Sequence, residues 1–378
     1  MSREAADDRI EWARSHMPVL ADLKRELETS RPFADTLIGI CLHVEPKTAV
    51  LCSVLRAGGA ELAITGSPGT TVDEVADALR DGGVSVYGCR DDDVRAHARN
   101  LEHVMSHRPR ILLDNGADLA AAAIESSEPI LGGTEETTTG ANRLREDFAG
   151  KVVFPVIVIN DSPLKAIVEN QHGVGQTIVE GFMRTTNLLI PGRRFVVIGY
   201  GWCGRGIARY LKSFGGDVAC VDSDEIRALE AALDGFAVRA LEEVLPWGDV
   251  FITVTSRPGI LRREHFDAMR DGAILANAGH FSWEIELGDL RVRPVGDGIE
   301  RIELANGKSL YRLTRGEMLN LAGGGGNPIE TMDLGLALQT MSLTRIAHDP
   351  TSLVHGPQPV PDEINRDVAR RMLAALRA

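Results

Sequence analysis

Cysteine is scarce in this chain: five in 378 residues, an odd number, with no CxxC pair among them. That excludes a disulfide framework and a cysteine-ligated zinc site as organising devices, and points to reduced thiols. Basic charge is short as well. Lys and Arg number 41 against 54 Asp and Glu, a formal net charge of −13, so neither nucleic acid nor an anionic membrane surface is an expected partner. No apolar run reaches the roughly 18 residues that a membrane-spanning helix needs. The first residues, Met1-Ser-Arg-Glu-Ala-Ala-Asp-Asp8, are charged where a secretory signal requires an apolar stretch, so the cytoplasm is the expected location.

What is present is ordinary for a globular protein, 44% hydrophobic and 25% charged residues. The length argues for two domains, because single cores stop growing near about 250–300 residues. Near the middle stands Arg194-Phe-Val-Val-Ile-Gly-Tyr-Gly-Trp-Cys-Gly-Arg-Gly206. The apolar run Phe195–Ile198 predicts a buried parallel strand, and it feeds into Gly199, Gly201 and Gly204 at dinucleotide-turn spacing. The first glycine permits the turn, the second lets backbone amides approach a pyrophosphate, and the third lets the next helix lie on the strand. Ile207, Tyr210, Leu211 and Phe214 continue at helical spacing, and Val218–Val221 predicts a second strand ending at Asp222. A carboxylate there accepts the adenosine ribose hydroxyls and repels a 2′-phosphate, so NAD is the expected cofactor rather than NADP.

The flanking sequence alternates in the same way. Residues 1 to 30 read as a helical lead-in with Ile10, Trp12, Met17, Leu20 and Leu23 on or near one face. Strands are expected at Leu37–Leu42, Glu61–Thr65, Val84–Tyr87, Ile111–Leu113, Val152–Ile159, Val250–Val254 and Ala273–Ala276, with a helix around Thr48–Leu55. The predicted class is α/β, two doubly wound parallel-sheet domains of which the central one is a Rossmann NAD-binding domain. Ligands in such sheets sit beyond the carboxyl ends of strands, which singles out His43, Thr255, Asn277 and His280. Gly132-Gly-Thr-Glu-Glu-Thr-Thr-Thr-Gly140 is too polar for a core element and reads as a ligand-binding loop. Asn160-Asp-Ser-Pro-Leu-Lys165 follows a strand end, with Glu169 and Asn170 one turn on. His103 and His107 stand at i, i+4, but no third ligand or intervening Glu accompanies them, so no metal is expected. The glycines of Asn320-Leu-Ala-Gly-Gly-Gly-Gly-Asn-Pro328 predict a hinge or gate, and the tail from Pro359 an amphipathic helix.

Together these motifs resemble the S-adenosylhomocysteine hydrolase family, from Met17 to about Leu373. The matching stretches are Leu42-His-Val-Glu-Pro-Lys-Thr-Ala-Val50, Glu135–Gly140, Asn160–Lys165 with Asn170, the glycine loop, Gly279-His-Phe281 and Asn320-Leu321; the His-Val-Glu-Pro-Lys-Thr form is similar to the shorter archaeal-type branch. The resemblance implies a substrate domain from residues 1–174 and 329–378, an NAD domain over 175–328, and a homo-oligomer, dimer or tetramer. It implies a small-molecule nucleoside substrate, transiently oxidised at the ribose 3′ carbon, which acidifies C4′ and lets the C5′ group leave. By the same resemblance Lys165 assists oxidation and proton removal, with Glu169 and the position of Asn115 in the catalytic set. His43 and His280 serve acid/base steps near C5′. Glu45, Lys47, Thr48, Glu136, Thr137 and Asn327 hold substrate, and Thr137, Thr138, Thr139, Asn170, Asp222, Thr255, Asn277, Asn320 and the three glycines hold NAD.

The departures from the family pattern carry information. Asn115 stands where the family has a second Asp, and an amide cannot act as a carboxylate base. Glu169 replaces an Asp, Val174 a Cys or Thr, and Asn327 a His. Gly66-Ser-Pro-Gly-Thr70 replaces a more regular loop, and the family's C-terminal segment reaching a neighbour's NAD is absent. These changes on an otherwise matching scaffold predict a nucleoside dehydratase, with the first half of the family reaction kept and the water-addition half lost. The alternatives are a genuine S-adenosylhomocysteine hydrolase and a non-catalytic NAD and nucleoside sensor.

Overall fold

The computed structural model describes residues 3–126, 128–279 and 282–377. The chain forms two compact units, one of Met1–Lys165 with Ile329–Ala378 and one of Ala166–Pro328. The first opens with helices α1 (Arg3–Ser15) and α2 (Pro18–Ser30). It then runs β1 (Leu37–Cys41), α3 (Pro46–Ala57), β2 (Glu61–Thr65), α4 (Asp73–Asp81), β3 (Ser85–Tyr87), α5 (Val94–Ser106), β4 (Ile111–Asp114), α6 (Asp118–Ser126), β5 (Gly132–Glu135), α7 (Thr138–Arg145) and β6 (Pro155–Val158). A π-helical segment, Lys165–Val174, follows. The second unit comprises α8 (Gly175–Thr186), β7 (Arg194–Ile198), α9 (Trp202–Ser213), β8 (Asp217–Val221), α10 (Glu225–Leu233), β9 (Ala237–Val238), α11 (Leu241–Val244), β10 (Val250–Thr253), α12 (Arg263–Phe266), β11 (Ile274–Asn277), β12 (Arg291–Gly296), β13 (Ile299–Glu303), β14 (Ser309–Leu313) and α13 (Leu319–Ala322). The chain returns to the first unit with α14 (Ile329–His348), β15 (Gly356–Pro359) and α15 (Asp362–Ala375).

The first unit's sheet has seven strands in the order β15-β6-β5-β4-β1-β2-β3, every neighbouring pair parallel. Ile38, Ile40, Ile64, Leu112, Leu113 and Ile157 are buried, as a sheet covered on both faces requires. Each such side chain contributes about 1.5–3 kcal/mol over its exposed state. The lead-in is two helices, because Pro18 in the first turn of α2 has no N–H to extend α1. Ile10, Met17, Leu20 and Leu23 are buried as expected, but Trp12 is 62% exposed. Two residues turn a helix by about 200°, which carries Trp12 to the face opposite Ile10.

A second correction concerns Gly132–Gly140, which is not all loop. Gly132–Glu135 is the fully buried strand β5, paired with β4 and β6. Its glycines answer to close neighbours: a Cβ on Gly132 would lie 2.8 Å from Ile346 Cγ2, and one on Gly133 would lie 3.0 Å from the Leu112 carbonyl.

The second unit's sheet has the order β12-β13-β14-β11-β10-β7-β8-β9. From β14 to β9 all pairs are parallel, while β13 runs antiparallel to β14 and β12 to β13. The antiparallel addition was not among the sequence expectations. Its signals were the turn pairs Asp297-Gly298 and Asn306-Gly307, whose glycines take φ of 72° and 84°.

Candidate active site

In doubly wound sheets ligands bind beyond the carboxyl ends of strands where the strand order reverses. In the first unit the order reverses between β1 and β4. His43 follows β1 and Asn115 follows β4 directly. His43 is partly buried, and its carbonyl accepts the Thr48 hydroxyl at 2.6 Å. Glu45 precedes α3 at its N-cap position without a side-chain capping bond, and Lys47 Nζ lies 3.2 Å from Glu45 Oε2. Burial raises the Glu45 carboxyl and the Lys47 charge opposes that rise. Lys47 and Thr48 are both buried.

Beside them, at the end of β5, Glu136 Oε1 takes the ammonium of Lys165, and both side chains are buried. The second carboxylate oxygen takes the Gln339 amide from α14. The Glu136 N–H donates to the Asp114 carbonyl at 2.9 Å, which ties the turn after β5 to the turn after β4. Asn115 is buried, and its Oδ1 makes no hydrogen bond. Glu135 accepts the N–H groups of Gly116 (3.0 Å), Ala117 (2.8 Å) and Thr137 (2.7 Å), together with the Thr137 hydroxyl (2.7 Å). It therefore shapes the loops that carry Asn115 and Glu136. Burial raises both the Asp114 and Glu135 carboxyls, each made worse by a neighbouring carboxylate. Thr137, Thr138 and Thr139 begin α7: Thr137 caps it through Gly140 N–H at 3.0 Å, and the Thr138 hydroxyl reaches Asn160 at 3.1 Å.

Among the described residues, Cys41, His97 and Asp118 bring ligand atoms within 4.8 Å of one another. Both ring nitrogens of His97 are already engaged, with the Gly66 carbonyl (3.0 Å) and Asp118 (3.2 Å). Burial, reinforced by Asp114, Asp118 and Glu135, pushes the Cys41 thiol well up, so it stays protonated. The cluster is a hydrogen-bonded anchor for the Gly66 loop. His103 stacks on Tyr87 and His107 hydrogen-bonds the Tyr87 hydroxyl at 2.6 Å.

In the second unit the order reverses between β7 and β10, and the glycine loop follows β7. Gly199 has φ of 106°, and a Cβ there would meet the Val254 carbonyl at 2.8 Å. A Cβ on Gly204 would lie 1.9 Å from the Gly199 carbonyl, so α9 rests directly on the turn. At Gly201 the nearest atom to a Cβ is Arg227 Nη1 at 3.8 Å, which leaves open space over the helix N-terminus. That cradle suits a pyrophosphate. Asp222 Oδ2 accepts the Tyr200 N–H at 2.6 Å and Oδ1 accepts the Asp224 N–H at 2.9 Å, which sets the carboxylate beside the turn where a ribose diol belongs. The residues present fit NAD.

Across the reversal, Thr255 and Ser256 follow β10 and are held by buried Glu284. Asn277, buried at the end of β11, bonds the Gly279 N–H (2.8 Å) and carbonyl (3.0 Å), the Gly316 carbonyl (2.8 Å) and the Thr253 hydroxyl (3.1 Å). Asn320 donates to Asn327 Oδ1 (3.2 Å), and Asn327 donates to Glu169 Oε1 (3.2 Å). Asn170 lies beside Glu169 in the π-helical segment. His280 lies outside the described residues.

The profile of S-adenosyl-L-homocysteine hydrolase matches residues 2–129, and that of its NAD-binding domain matches residues 170–326. The chain belongs to the S-adenosyl-L-homocysteine hydrolase family. It is 42% identical to the S-inosyl-L-homocysteine hydrolase of Methanopyrus kandleri, over 98% of this chain and 90% of that protein. Identity is also 42% with the adenosylhomocysteinase of Archaeoglobus fulgidus, over 97% of this chain and 93% of that one. A dipicolinate synthase component from Bacillus halodurans matches at TM-score 0.50 with 12% identity, covering 84% of this chain and 99% of that chain, a likeness of fold alone. As a member of this NAD-dependent family, the protein takes NAD as its cofactor.

Two buried polar residues lie outside the sequence expectations, Glu284, which holds Thr255 and Ser256, and Gln339, which bonds Glu136. Each is a polar side chain inside an apolar stretch, Trp283-Glu284-Ile285 and Leu336-Ala-Leu-Gln339. That interruption was the available signal.

Proposed function

We propose that this protein is a nucleoside dehydratase. It removes water across C4′ and C5′ of a purine ribonucleoside by transient oxidation at C3′ and restores the 3′-hydroxyl at the end. Bound NAD supplies the acceptor and the donor of the 3′ hydride. Glu136 orients the ribose hydroxyls. Lys165 takes the 3′-hydroxyl proton as the hydride leaves and passes it on to His43. It then takes the proton from the acidified C4′ and returns it to the 3′ oxygen when the hydride comes back. The C5′–O bond then breaks, with His43 on the carboxyl side of β1 protonating the departing hydroxyl. The balance is one nucleoside giving one 4′,5′-unsaturated nucleoside and one water, with no net redox change.

The observation that carries this reading is Asn115. Its buried Oδ1 has no hydrogen-bond partner, and a buried acceptor left unmade costs about 1–3 kcal/mol. A 5′-hydroxyl can donate to that oxygen, whereas a thioether sulfur has no hydrogen to give. An amide at this place also cannot serve as the base that activates an adding water. A second reading, hydrolysis of an S-nucleosyl-homocysteine, is favoured by the 42% identity to enzymes named for S-inosyl- and S-adenosyl-homocysteine.

Mass spectrometry of NAD-loaded protein separates the two. Adenosine and inosine should lose 18 mass units, while S-adenosyl- and S-inosyl-homocysteine should release no homocysteine. Homocysteine release at about 1 per second or faster, an ordinary enzyme rate, would establish the hydrolase instead.

A further inference from the structure

We infer that Gln339 is a positioning residue for the ribose end of the nucleoside site, acting by fixing the Glu136 carboxylate. The inference rests on the reading that Glu136 takes the ribose hydroxyls. Alternate residues of a strand share a face, so Gly132, Thr134 and Glu136 follow one another on one side of β5 and its extension. A Cβ on Gly132 would touch Ile346 of α14, and Glu136 is bonded by Gln339, two helical turns before Ile346. The two contacts lay α14 along this face of β5 and bring Gln339 to the site from 203 residues away.

The chemistry of the contact argues that it serves Glu136 rather than packing. Gln339 is fully buried, as are Leu338 and Leu343 of the same helix. Its Nε2 donates to Glu136 Oε2, and its Oε1 is buried without any hydrogen bond. A Leu or Met would fill the same volume without leaving a buried carbonyl oxygen unmade. What the amide adds is a donor on Glu136 Oε2, beside the one that Lys165 gives to Oε1. With Lys165 on Oε1 and Gln339 on Oε2, the carboxylate cannot turn about its terminal bond. Held at both oxygens, it keeps one orientation, as bidentate recognition of a vicinal diol requires.

The test uses NAD-loaded Gln339→Leu, Gln339→Glu and wild-type protein, with calorimetric affinities for adenosine and inosine, each against its 2′,3′-dideoxy form. Wild type should prefer the ribo form. Gln339→Leu should cut that preference about tenfold, the effect of one lost hydrogen bond to a charged group, at every pH. In Gln339→Glu the new carboxyl donates like the amide while protonated. Once ionised it repels Glu136, so the preference should be near that of wild type at low pH and fall as pH rises. An unchanged preference in Gln339→Leu, or a loss in Gln339→Glu that does not vary with pH, overturns the positioning role. A wild type with no preference for the ribo form overturns both this role and that of Glu136. Failure of the water-loss reaction leaves the affinity ratios readable, so the two ideas fail separately.

Discussion

Glu284 Oε2 accepts both the backbone N–H (3.0 Å) and the hydroxyl (2.9 Å) of Thr255, while its Oε1 accepts the N–H of Ser256 at 2.8 Å. Ser256 has φ of 56°, a conformation that a non-glycine residue holds only when its surroundings insist. Glu284 therefore sets the turn across the strand reversal from the glycine loop. Its Oε1 would also stand 1.6 Å from a Cβ on Gly279. Replacing Glu284 by Gln puts an NH2 group in place of one oxygen, opposite either the Ser256 N–H or the Thr255 N–H and hydroxyl. The unmade bonds predict an NAD affinity about 5- to 100-fold weaker, measured by calorimetry. An unchanged Kd would show that the turn holds its shape without the carboxylate.

Gly204→Ala tests the cradle more directly. With only 1.9 Å between the new Cβ and the Gly199 carbonyl, α9 has to lift from the turn, and the amides facing the pyrophosphate move with it. The variant should elute from gel filtration without NAD under conditions where wild type retains it. Gly325→Ala, where a Cβ meets no atom within 4 Å, should retain NAD like wild type. NAD retention by both variants would mean that the phosphates do not depend on that close approach.

The reach of the sequence follows from which forces are local. β7, the glycine turn and Asp222 are read from neighbours along the chain, because a strand, a tight turn and a helix N-terminus are each built from consecutive residues. β5 escaped because its glycines are dictated by Leu112 and Ile346, which no short window contains. Trp12 leaves the apolar face because it stands about 200° round the helix from Ile10, and its apolar character alone does not show that. The segment Lys165–Val174 is π-helical, and Lys165 pairs with Glu136, a partner 29 residues away that the Lys165 and Glu169 spacing does not announce. Glu284 and Gln339 act on partners 29 and 203 residues away. Only their setting in apolar sequence hints at them.

Asp333 predicts a pH effect on stability. It is fully buried on α14, and its two oxygens accept the N–H groups of Val19 (2.9 Å) and Leu20 (2.8 Å) in the first turn of α2. Burial outweighs those bonds and pushes its carboxyl up to about 6. A group whose folded pKa is raised binds more protons folded than unfolded, so its contribution is full below the unfolded value near about 4. That contribution is lost as pH rises through about 6. Urea midpoints of Asp333→Asn minus wild type should therefore become more favourable to the variant between about pH 4 and 6.5. A flat difference would mean that the carboxyl titrates normally in the folded protein.

Asn115→Asp tests the proposed dehydratase reading at a single atom. The substitution keeps size and shape and turns an acceptor-and-donor amide into a carboxylate able to take a proton from water. It also adds a third buried acid to Asp114 and Glu135, whose carboxyls burial already raises. The new group should be raised for the same reason, protonated and inactive at low pH and a competent base only as pH climbs. Homocysteine release from S-adenosyl- or S-inosyl-homocysteine, followed with a thiol reagent, should therefore appear in the variant and grow with pH. Water loss from adenosine or inosine should weaken in parallel, because an ionised neighbour resists departure of hydroxide. A variant that releases no homocysteine at any pH, yet still binds NAD, would move the difference between the two chemistries away from Asn115. It would then rest with Glu169 and Asn327, whose amide-to-carboxylate bond stands where the family pattern has a His and an Asp.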